Sequence, residues 1–119
     1  MKRIPKFLFT ILLLIFSHTV FSQSKTINEQ RYIFFLHNKF VEENDVNIPH
    51  PEYGKAEYNE ILNSFRKDNF IVLSEIRSKN TNAAKYAQKV VKEIKKLLKK
   101  GIAPNKITVI GTSKGGYIA

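Results

Sequence analysis

Gly111-Thr112-Ser113-Lys114-Gly115-Gly116 is the run in this chain whose residue types and spacing suit covalent chemistry. It fits Gly-x-Ser-x-Gly, a pattern in which a serine occupies a tight turn between a strand and a helix and its Oγ stands clear of the backbone. Glycine on both sides permits the crowding that such a turn requires. Ser113 would attack a carbonyl carbon, and the free amides of the helix start would face the developing negative charge. A glycine-rich helix start can also bind an anion through its backbone amides, or simply turn the chain. The run has the spacing of neither the Walker nor the dinucleotide fingerprint.

Other groups could take part. His37 and His50 follow the leader segment, and His37 is a candidate general base. Lys114 beside Ser113 invites a Ser-Lys mechanism, but adjacent residues on such a turn point apart, which leaves the Lys114 backbone amide as its contribution. The chain contains no cysteine, so disulfides and thiolate metal sites are excluded. No cofactor or metal motif is present.

Position gives the serine motif its weight. Arg31 to Leu36 (RYIFFL), Phe70 to Leu73 (FIVL) and Ile107 to Ile110 (ITVI) are short apolar runs of the kind that form strands buried on both faces. Between the first two, His37 to Glu52 reads as a long polar loop. From Glu52 onward, Tyr58, Ile61, Leu62 and Phe65 recur at helical spacing until Lys67-Asp68-Asn69 closes the segment. Ser74 to Asn82 is a loop, and Asn82 is a candidate N-cap. Ala83, Ala87, Val90, Val91, Ile94, Leu97 and Leu98 then form an apolar stripe that Gly101 ends. Strand, helix, strand, helix, strand predicts an α/β fold: a doubly wound, mostly parallel sheet with right-handed crossovers. Ser113 follows its third strand directly.

In this context residues 31 to 119 resemble the α/β-hydrolase superfamily. The strand RYIFFL runs into His37-Asn38, where the family often has His-Gly; Glu75-Ile76-Arg77-Ser78-Lys79-Asn80 is similar to a degraded Asp-x-Arg-Gly-x-Gly turn; and the elbow follows ITVI. The resemblance implies a partial fold of βαβαβ plus the start of the elbow helix, and a serine hydrolase acting on a small-molecule ester or amide. Ser113 would be the nucleophile, with the backbone N–H groups of Lys114 and of Asn38 or Lys39 as oxyanion donors. In the family the acid follows the nucleophile and the histidine comes later still, so both would lie beyond Ala119. His37 is then expected in a structural role at the strand end, and His50 as a solvated loop residue. The competing expectation is a non-catalytic exported binding module that holds an anionic ligand at the same helix start.

Met1 to Ser22 reads as a signal peptide: Lys2, Arg3 and Lys6 precede the apolar run Phe7 to Phe16, and cleavage is expected after Ser22. The run is shorter than the roughly 18 to 20 residues that span a bilayer, so no stable membrane anchor is expected. The organisation is therefore a leader over 1–22 and the N-terminal part of a hydrolase domain over 23–119, exported to the periplasm or medium. Removing the three basic residues of the leader lowers the net charge from +10 to +7. Lys85, Lys89, Lys92, Lys95, Lys96, Lys99 and Lys100 lie in one helical segment and are accounted for as a solvent face rather than a nucleic-acid surface.

Overall fold

The computed structural model describes residues 29–119. The expected leader and its cleavage point lie outside them.

Three parallel strands, β1 (Arg31–Leu36), β2 (Phe70–Leu73) and β3 (Ile107–Gly111), form a sheet in the order β2-β1-β3. Tyr32 pairs with Ile71 on one side and with Ile107 on the other, while Leu36 pairs with Gly111. β1 is thus central, which is why its sequence is apolar at consecutive positions. Ile33, Phe34, Phe35 and Leu36 are all at most 5% exposed. Burying each side chain of this size contributes about 1.5–3 kcal/mol relative to leaving it in water. Neither β2 nor β3 buries as many.

The pleat sends these residues alternately to two faces. Ile33 and Phe35 pack with Tyr58 and Leu62 of helix α2 (Tyr58–Lys67), and with Val41 of the short helix α1 (Lys39–Glu43). Phe34 and Leu36 pack with Val90 of helix α3 (Ala83–Lys99) and with Ile118 of helix α4 (Lys114–Ile118). A parallel sheet with helices on both faces is an α/β architecture.

Several expectations need correction. The segment from His37 to Glu52 is not wholly a loop: Asn38 caps α1, its Oδ1 accepting the Val41 amide at 3.0 Å. Helix α2 starts at Tyr58, because the chain first makes a turn in which His50 and Gly54 exchange backbone hydrogen bonds of 2.8 and 2.9 Å. Gly54 stands at φ 74°, a conformation that costs glycine nothing. Asn82 does cap α3, and Gly101 ends it at φ 88°. The apolar stripe of α3 is wider than its buried face. Val90 packs inward with Tyr86, Ile94 and Leu97, whereas Val91 and Leu98 are 47% and 39% exposed.

Candidate active site

The link from β3 to α4 is a reverse turn around Ser113. The Gly115 amide donates to the Thr112 carbonyl at 2.9 Å, and Ser113 adopts φ 51°, ψ −120°. Those angles belong to the first central position of a type II′ turn, which normally demands glycine. Holding a serine there costs about 1–3 kcal/mol, an expense found mostly where the strained side chain has a task. The Thr112 amide donates to the Leu36 carbonyl at 3.1 Å, so the β1–β3 ladder continues to the edge of the turn.

Two glycines are dictated by contact. A Cβ on Gly111 would lie 2.2 Å from the Gly115 carbonyl oxygen, and one on Gly115 would lie 1.9 Å from that of Leu36. Gly116 has room, with its nearest neighbour 3.4 Å away. Ser113 itself is exposed, and its Oγ does not cap α4. The nucleophile candidate is therefore presented at the carboxyl end of the sheet, unengaged by the helix that follows it. Lys114 opens α4, where a helix has no internal partner for its amide.

At the end of β1, His37 is 1% exposed and both ring nitrogens are occupied. Nε2 accepts the Arg77 amide at 2.8 Å, and Nδ1 carries the proton donated to the Asn38 carbonyl at 2.7 Å. Its ring meets Tyr58 edge-on at 5.7 Å. Burial, reinforced by the nearby Arg77 charge, lowers the His37 pKa below 6.5 despite the Asn38 hydrogen bond. A neutral ring with no free lone pair is a brace for the strand end. Asn38, in the place of a glycine, is explained by its capping of α1; the Asn38 and Lys39 amides begin that helix.

Arg77, from the loop after β2, is 3% exposed. Its Nη2 donates to the His37 carbonyl at 2.5 Å and reaches the Asn38 carbonyl at 3.4 Å, and its Nε donates to Glu42 Oε2 at 3.0 Å. Glu42 Oε1 accepts the Thr81 amide at 3.1 Å and the Lys114 ammonium at 2.5 Å. Burial pushes the Glu42 carboxyl up, but the hydrogen bonds from Lys114 and Arg77 outweigh it and hold the pKa below 4.5. Sequence reasoning singled out Arg77 and Lys114 but missed Glu42, which lay in the supposed loop. The Lys114 side chain is turned to Glu42.

A cavity of about 80 Å3 lies beside the turn, lined by Asn38, Phe40, Val41, Ala56, Tyr58 and Thr112. A larger one, about 310 Å3, lies between the sheet and α3, bordered by Leu36, Val72, Glu75, Tyr86 and Val90, and neither Ser113 nor its neighbours on the turn line it. Size is the poorer guide here, because only the smaller cavity adjoins the strained serine turn. His50 is half-buried rather than solvated: its Nδ1 accepts the amides of Glu52 and Tyr53, and its ring stacks on Tyr53 at 4.9 Å. Among the described residues no group of three His, Asp or Glu side chains could hold a metal ion. No family model, no curated protein and no solved structure matches this chain.

Proposed function

We propose that this chain is the exported N-terminal part of a serine hydrolase of the α/β-hydrolase type, acting on a small-molecule ester or amide. The observation that carries the reading is Ser113, an exposed non-glycine residue held at φ 51° on a strand-to-helix turn, whose hydroxyl does not cap the helix that follows. Sheet order supports it. β2 and β3 lie on opposite sides of β1, so the chain leaves the adjacent carboxyl ends of β1 and β3 in different directions. Ligands of open α/β sheets occupy the crevice at such a switch point.

Ser113 Oγ attacks the carbonyl carbon, and the amides of Lys114 and of Asn38 or Lys39 stabilise the oxyanion. Attack needs a base for the hydroxyl proton. The family resemblance assigns that role to a histidine later in the chain, oriented by an acid that precedes it. Export follows from the composition of residues 1–22 and is checked by mass spectrometry of the native product, with an N-terminus near Gln23 expected. The alternative, an anion-binding module, would use the amides of the same helix start, and the Lys114 ammonium, paired with Glu42, adds little to it.

The test uses the protein in a form that includes the later acid and histidine. A fluorophosphonate should label Ser113, and Ser113→Ala should abolish labelling and ester hydrolysis, since loss of a triad member costs several orders of magnitude. Lys114→Ala should do far less, because alanine keeps the amide. Full hydrolysis in Ser113→Ala, with loss of an anionic ligand in Lys114→Ala, would replace the hydrolase by the binding module.

A further inference from the structure

Glu42 is a buried carboxylate that the chemistry above does not use. Its side chain, like that of Arg77, is wholly shielded from solvent, while that of Lys114 is 19% exposed. Well-packed apolar residues often fill such a space with no loss of stability, so a buried ion cluster is weak evidence of a stabilising device. This one even leaves Arg77 Nη1 buried with no partner among the described residues. Its value lies in what it connects. Glu42 follows the end of β1, Arg77 follows β2, and Lys114 follows β3.

Peptide geometry shows what that connection fixes. In a trans peptide the C=O and the next N–H point in opposite directions. Arg77 Nη2 holds the His37 carbonyl at 2.5 Å, so the Asn38 N–H is aimed away from the cluster. His37 Nδ1 and Arg77 Nη2 both approach the Asn38 carbonyl, which aims the Lys39 N–H likewise. Glu42 then holds Arg77 with one oxygen and the Lys114 ammonium with the other, and the Lys114 amide is the remaining donor.

We propose that Glu42 and Arg77 are positioning residues for the oxyanion site, fixing the amides of Asn38, Lys39 and Lys114 relative to one another. The inference rests on the serine-hydrolase reading. Glu42→Gln, which keeps the shape and removes the charge, should lower kcat roughly ten- to hundredfold in the complete protein, because small misplacements of transition-state donors are costly. KM should stay within about twofold, since these donors act on the transition state. Affinity for an alkylboronic acid, which forms a tetrahedral adduct on the serine, should fall with kcat. Arg77→Lys, which keeps the charge and loses the fork, should behave in the same way.

Amide hydrogen exchange supplies an arm that does not depend on chemistry. In Glu42→Gln the amides of Val41, Arg77, Thr112 and Gly115 should exchange about tenfold faster or more, while those of Phe34 and Phe35 stay protected. Unchanged exchange at those four would show that Glu42 holds nothing. Faster exchange with unchanged kcat and boronate affinity would overturn the positioning role alone. If Ser113→Ala kept its hydrolysis, the serine reading would fall and the oxyanion role with it.

Discussion

The carbonyl oxygen of Leu36 stands 1.9 Å from where a Cβ on Gly115 would be, so the end of β1 and the start of α4 touch backbone to backbone. This contact seats the serine turn against the central strand. Backbone crowding of this kind separates Gly111 and Gly115 from Gly116, whose nearest neighbour leaves room for a Cβ.

Gly115→Ala and Gly111→Ala should each destabilise the protein by about 3 kcal/mol or more, because the obstructing atoms are backbone and cannot swing aside. Gly116→Ala should be neutral or raise stability by about 0.5–1 kcal/mol through helix propensity. Urea denaturation of the three variants checks this. Equal effects at all three positions would mean that the turn is not built as described.

Strain at Ser113 has its own signature. Ser113→Gly should be more stable than Ser113→Ala by about 1 kcal/mol, the reverse of the usual order, because glycine alone relaxes at φ 51°. Both variants lack the hydroxyl and should be inactive, so the comparison separates strain from chemistry. Alanine the more stable of the two would remove the strained elbow.

On α3, Val90→Ala should cost about 1.5–2.5 kcal/mol, whereas Val91→Ala should change stability by less than about 0.5 kcal/mol. The two neighbours differ only in the face they occupy, 9% against 47% exposed. Thermal midpoints of the pair decide it, and equal losses would place Val91 in the core.

What the sequence made legible was local. ITVI followed by Gly-x-Ser-x-Gly gives a strand, a turn and the serine at its tip within ten residues, and the Asn82 cap and Gly101 stop bracket α3 from its own neighbourhood. α1 escaped notice because five residues are too few to show a helical period. Glu42 was invisible for a different reason: its partners Arg77 and Lys114 lie 35 and 72 residues away, and no spacing rule links an acid to cations so distant. Asn38 looked like a departure from a glycine pattern until its capping hydrogen bond supplied the reason.

Acid should loosen the braced strand end in two stages. The first is His37, whose pKa is depressed by burial and by Arg77 while Glu42 and the Asn38 hydrogen bond oppose the shift. The unfolded chain therefore takes up a proton at this ring near pH 6.5 that the folded chain refuses, and stability falls as pH drops below that value. The second stage involves Glu42, whose folded pKa lies below 4.5 because the Lys114 and Arg77 hydrogen bonds outweigh the burial that would raise it. Its contribution is complete above pH 4.5 and is lost as pH falls toward the folded value. Urea midpoints should thus begin to decline as pH falls below about 6.5, and His37→Gln, which cannot titrate, should flatten that decline. Glu42→Gln removes the charge that opposes the His37 shift, so it should keep or deepen the first decline while removing the Glu42 part below pH 4.5. An undiminished slope just below pH 6.5 in His37→Gln would mean that another group titrates there and that the buried ring is not the one refusing the proton.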